Sequence, residues 1–212
     1  MSSRLPSYIS EKDKICIICE GNEEYDYFSK LKSLGVWNER YDFILENAEG
    51  NGNIPARYQD KYQNGSFDLV LIFCDTEKKP YEQYDDIKNK INTFHGLDNV
   101  ADEVIIFGNP CTMQIVLLHV MSVTLKSPAK KTNSPYIKTC FGVDNYKGRE
   151  DQRNAVFSQI TKENYCQMCN RIKELPTDDT VIGSTNFLTY INNFSSDSDE
   201  WIFAINSKLE QE

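Results

Sequence analysis

The 212-residue sequence is poor in several of the signals that mark common functions. It has only two histidines. His95 precedes Gly96 at the end of a helical stretch and reads as a C-terminal cap. His119 closes an apolar segment and reads as a core or capping histidine rather than a ligand. No Walker A loop and no Gly-x-Gly-x-x-Gly is present, so nucleotide hydrolysis is not expected. No apolar run approaches the length of a membrane span, and Met1-Ser2-Ser3-Arg4-Leu5-Pro6 lacks the apolar core of a signal peptide. A cytoplasmic location with no membrane partner is the expectation. There is no internal repeat. Positive charge is scarce too: the net charge of −9 argues against a protein that coats nucleic acid by bulk attraction. The seven cysteines are odd in number and mostly sit in apolar runs, as reduced thiols do. Cys16-x-x-Cys19 falls on a strand, where positions three apart face opposite ways. Cys166-x-x-Cys169 falls on a helix with no second pair to complete four ligands, and it reads as packing.

What is present is an alternating pattern. Residues 14–19 read as a buried strand, 23–36 as a helix, 41–47 as a strand, and 54–62 as a short helix after the turn signal Glu49-Gly50-Asn51-Gly52-Asn53. Residues 68–74 form the clearest strand. A helix over 81–94, a strand over 104–107 and a buried helix over 111–121 follow. This order predicts an α/β fold with a mainly parallel sheet flanked by helices. Residues 1–13 read as a loose N-terminal arm and 14–125 as the main domain. Residues 126–212 read as a basic loop (126–150) followed by helices over 161–175, 184–194 and 199–208. Those helices make a C-terminal helical appendage packed on the same domain.

Two strands run straight into acids: Ile15–Cys19 into Glu20-Gly21, and Leu69–Cys74 into Asp75-Thr76-Glu77. Ligands of α/β sheets bind at strand ends. Carboxylates gathered there suit Mg²⁺ or Mn²⁺, which take oxygen ligands and keep several waters. Such an ion could serve phosphodiester cleavage, with a nearby Glu moving the proton. Gly21 would let backbone approach a phosphate. The plain alternative is that these acids cap the following helices.

The segment Ile15–Glu20-Gly21-Asn22-Glu23-Glu24-Tyr25-Asp26-Tyr27-Phe28 resembles the opening of TOPRIM-containing RloB-like and abortive-infection proteins. Leu71–Asp75-Thr76-Glu77 is similar to their second motif, usually Asp-x-Asp. Phe107-Gly108-Asn109-Pro110-Cys111 through Leu117-Leu118-His119 is similar to the third RloB-like block. The resemblance covers roughly residues 14–120. It implies a TOPRIM-like fold and a Mg²⁺-dependent nuclease acting on DNA or RNA in bacterial anti-phage defence, beside a partner ATPase. A homodimer is compatible with it. By position, Glu20 would be the catalytic acid–base, Asp75 and Glu77 the metal-binding acids, and Glu24 the downstream acid of the first motif. Thr112-Met113 stands where the family carries an aromatic-Glu pair. That departure favours the alternative of a degraded, non-catalytic subunit docking on the ATPase.

The chain's positive charge is concentrated. From Lys126 to Arg153 there are seven bases against three acids, a balance of +4, which leaves −13 elsewhere. Lys126, Lys130, Lys131, Lys138, Lys147 and Arg149, interleaved with Tyr136, Phe141 and Tyr146, are candidate nucleic-acid contacts. A solvated loop or an acidic partner's docking surface would look the same.

Overall fold

The computed structural model describes residues 12–210. Most of the expected N-terminal arm lies outside the described residues, and Asp13, placed in that arm by its sequence, already belongs to the first strand.

The elements run β1 (Asp13–Cys19), α1 (Asn22–Leu34), β2 (Tyr41–Asn47), α2 (Ile54–Gln63), β3 (Leu69–Asp75) and α3 (Glu82–His95). Then come α4 (Ala101–Val104), β4 (Ile105–Gly108) and α5 (Met113–Leu117). The C-terminal part adds α6 (Lys130–Phe141), α7 (Glu150–Phe157), α8 (Lys162–Arg171), α9 (Phe187–Phe194) and α10 (Glu200–Leu209). The four strands make one parallel sheet in the order β2-β1-β3-β4. The α/β class expected from the alternation is therefore the class observed.

The central strands are apolar because both of their faces are covered. Ile15 to Cys19 and Leu71 to Cys74 are wholly buried. The chain moves from β1 to β2 on one side and then returns to β3 on the other. Right-handed crossovers therefore place α1 on one face and α2 and α3 on the opposite face. On the α1 face, Phe28 meets Phe73 of β3 at 4.6 Å and Phe187 of α9 at 5.5 Å. On the other, Tyr58 of α2 packs against Phe94 of α3.

The tail completes the sheet. Thr185 bridges Gly108 in antiparallel sense, and its hydroxyl donates to the Phe107 carbonyl at 2.6 Å. The Asn186 side chain accepts from Phe107 N at 3.0 Å and donates to the Ile105 carbonyl at 2.7 Å. One side chain thus satisfies the outer edge of β4 as a fifth strand would. This duty explains why α9 starts at Phe187 rather than at Ser184, where periodicity alone puts it.

The expected loop over 126–150 is corrected by the structure: residues 130–141 form α6. Pro135 and Gly142 imitate breakers, and the buried stripe Asn133, Ile137, Phe141 carries only two apolar residues. The helical period was thereby hidden. Similarly, the helix expected over 111–121 is regular only from Met113 to Leu117 and continues as turns. His119 is a core residue, with its ring nitrogens 3.0 Å from Tyr27 Oη and 3.1 Å from Asn164 Oδ1. Burial pulls its pKa down to about 4, so it is neutral at physiological pH. His95 closes α3 as expected, with Nε2 3.0 Å from Tyr58 Oη. Cys16 and Cys19 are buried as expected, whereas Cys166 is exposed rather than packed.

Candidate functional site

In a parallel sheet, a crevice opens where neighbouring strands lead their crossovers to opposite faces. Here that place lies between β1 and β3, which pair with Cys19 opposite Phe73. Both strands stop in acids at this edge. The Glu20 amide extends the ladder by donating to the Phe73 carbonyl at 3.0 Å. Its side chain then turns across and Oε2 accepts from Asp75 N at 2.9 Å. Two acids far apart in sequence are thereby brought into direct contact.

A cavity of about 340 Å³ opens over them, and Glu20, Glu24, Asp75 and Glu77 all line it. The structure thus gathers the four acids singled out from the sequence, together with Gly21. Asp75 is held from below: Thr112 donates to its Oδ1 from the backbone N at 2.6 Å and from the hydroxyl at 2.8 Å. Glu24 sits in the first turn of α1, where Oε2 accepts from Gly21 N at 3.1 Å. The capping alternative is thus realised for Glu24, which still faces the cavity. Glu77 takes a left-handed backbone, φ 65°, and its N donates to the Pro110 carbonyl at 3.1 Å. Gly21 is extended at φ −151°, and a Cβ there would meet only Glu24 Oε2 at 3.5 Å, so conformation does not demand glycine.

Burial first, and for Glu20, Glu24 and Asp75 the neighbouring like charges second, raise the acids' pKa values. Burial, then Glu24 and Glu77, push Glu20 up to about 8. Burial and then Glu23 push Glu24 up to about 7. Asp75 is driven well above its ordinary range by burial and by Glu24 and Glu20. Glu77 is raised by burial.

Several further residues complete this site. The Asn51 amide, oriented to satisfy its neighbours, donates to both Glu20 oxygens at 2.7 and 2.8 Å. Thr112 anchors Asp75, while its neighbour Met113 is buried in the pocket wall. Glu23 accepts from Tyr146 Oη at 2.9 Å and pairs with Lys130. Arg153 on α7 pairs with Asp26 at 2.6 Å, so α6, α7 and the turn between them are strapped over the start of α1. Gly148 belongs to that turn. Its φ of 72° is left-handed, and a Cβ would lie 2.7 Å from Lys130 Nζ.

The candidate basic contacts divide. Lys130 and Lys147 line the acid cavity. Lys130 stays cationic: burial opposes its charge, but Glu23, Glu24 and Asp75 outweigh it. Lys131 and Lys138 line an adjoining groove, with Lys138 2.7 Å from Asp144. Lys126 and Arg149 are exposed and line neither cavity, and Arg149 lies 3.5 Å from Asp151. A larger cleft of about 550 Å³ lies beyond β4, but its lysine, Lys88, is already paired with Asp102 at 2.6 Å and Asp179 at 2.8 Å.

Among the described residues, no three His, Cys, Asp or Glu side chains are already closed into a metal-binding group. The carboxylates lining this pocket, beside the buried Cys111, offer the oxygen donors of a hard ion that keeps most of its waters and needs few protein ligands. No described helix is long and apolar enough to cross a membrane.

In comparisons with known proteins, no family model, curated protein or solved structure matches the chain. What fold and site define is a class: a parallel α/β protein with a partly buried acid cluster at its topological switch point.

Proposed function

We propose that this chain is a Mg²⁺- or Mn²⁺-dependent TOPRIM-type nuclease that cleaves phosphodiester bonds in DNA or RNA. In this reading it is the effector of a bacterial anti-phage system with a partner ATPase. The observation that carries the reading is the contact between the Glu20 carboxylate and the Asp75 amide, 2.9 Å, at the crevice between the two central strands. A bound divalent ion would screen the phosphate and neutralise the leaving oxygen. Asp75, fixed by Thr112, and Glu77 would seat it, with Glu24 within the same pocket. Glu20, raised to about 8, holds and releases a proton near neutrality, as a general acid–base must. Lys130 supplies positive charge beside the acids.

A second reading is a non-catalytic subunit that docks on the ATPase. The buried Met113, where the family resemblance places an acid, favours it. Purified protein incubated with single-stranded DNA, duplex DNA and RNA separates the two. EDTA-sensitive cutting, lost in Glu20→Ala and Asp75→Ala, is the expected result. Undiminished cutting by both variants refutes the site assignment, and no cutting with any ion favours the docking subunit.

A further inference from the structure

The acid pocket shares lining residues with two neighbouring cavities. Glu77 lines both that pocket and a hollow of about 420 Å³ formed by the loop carrying Lys78 and Lys79. Through a different set of residues, Lys130, Tyr146 and Lys147, the pocket adjoins an open groove of about 700 Å³. The middle of this track is acidic, the groove at the α6 end is basic, and the hollow at the other end sets Lys78 and Lys79 against Glu77 and Glu82. Lys78, Lys79, Lys131 and Lys147 are all exposed, and among the described residues none of them is in an ion pair. Lysines left free on both flanks of a carboxylate cluster are what a polyanion crossing it needs, because its phosphates must be held against the acids' repulsion.

The pocket is also recessed. Glu24 is only 5% exposed, and Asp75 is gripped from the floor by Thr112. Residues of α6 and the Tyr146–Gly148 turn form its upper wall and are tied to Glu23 through Lys130 and Tyr146. A stiff duplex carries its phosphates on the outside of a rod and cannot sink one of them beneath such a wall without distortion. A single strand turns freely at each phosphate and can thread the track.

We propose that the track takes single-stranded or locally unpaired nucleic acid. One phosphate sits at the acids, and the flanking phosphates sit on Lys78 and Lys79 on one side and on Lys131 and Lys147 on the other. The proposal rests on the nuclease reading for the phosphate at the centre, but its flanking contacts are tested without turnover.

The test is fluorescence anisotropy on the full-length Asp75→Asn variant in Mg²⁺, with labelled oligo-dT, oligo-U and a duplex of equal length. Single strands bind about tenfold more tightly than the duplex, and the two homopolymers tell DNA from RNA preference. Adding K78E/K79E or K131E/K147E weakens single-strand binding by about fivefold or more. Each pair also flattens the logarithmic salt slope by about 1.4, as expected for the loss of two phosphate contacts. Equal or tighter duplex binding, no binding at all, or unchanged affinity in K78E/K79E overturns the proposal. Tight, lysine-dependent single-strand binding without any cleavage by the unmutated protein supports the track and removes the nuclease reading. Metal-dependent cleavage of duplex and single strand alike does the reverse.

Discussion

Replacing Glu20 by glutamine is expected to stabilise the metal-free protein at neutral and alkaline pH. In the unfolded chain the Glu20 carboxyl titrates near its ordinary value of 4.5, whereas in the fold burial, Glu24 and Glu77 raise it to about 8. The native state therefore holds this proton more tightly than the unfolded state. Its contribution is complete below pH about 4.5 and is lost as pH rises through about 8. Each pH unit between those limits costs at most about 1.4 kcal/mol, so near pH 7 the ceiling for this one group is about 3 kcal/mol. Glutamine keeps an oxygen to accept from Asp75 N and cannot ionise. At this chain length about 1 kcal/mol moves the melting temperature by roughly 2–4 °C. Glu20→Gln should therefore melt several degrees higher than the parent at about pH 8 in EDTA and nearly level with it at about pH 5. Excess Mg²⁺ should raise the melting temperature of the parent and of the variant, since Asp75 and Glu77, which would seat the ion, are intact in both and a ligand stabilises the state that binds it. Differential scanning calorimetry at both pH values, with and without Mg²⁺, reads all of this. A gain of equal size at both pH values would mean that packing, not charge, is at work. A variant that melts below the parent at about pH 8 would refute the reasoning.

Three further outcomes are expected. Thr112→Val removes the hydroxyl that donates to Asp75 at 2.8 Å and should destabilise the fold by about 1–3 kcal/mol in urea titration; an unchanged midpoint would show that the backbone bond alone suffices. Phe28→Ala empties the junction of α1, β3 and α9 and should cost about 3–5 kcal/mol in the same assay. Asn186→Ala frees an N–H and a carbonyl on β4, and size-exclusion chromatography should detect self-association through that edge; a monomer of unchanged elution and stability would contradict the edge-sealing role.

The strands and the acids at their ends were legible in the chain because burial on both faces leaves an unbroken apolar run, and such a run ends where polarity begins. Ile15–Cys19 before Glu20 and Leu69–Cys74 before Asp75 needed no tertiary knowledge, and alternation with helical stretches carried the parallel sheet. Helix α6 was hidden because its buried stripe is part polar and contains the orphan-prone Asn133 rather than a third apolar residue. Only the packed structure could decide that Glu20 and Asp75 meet, since that depends on β1 and β3 being neighbours in the sheet. The same holds for Asn51, Thr112, Lys130 and Tyr146: their stretches stood out in the sequence for other reasons, and their contacts with Glu20, Asp75 and Glu23 come from where the crossovers carry them. Local patterning records which residues leave water, whereas a site is built from contacts between segments that no short stretch of chain encodes.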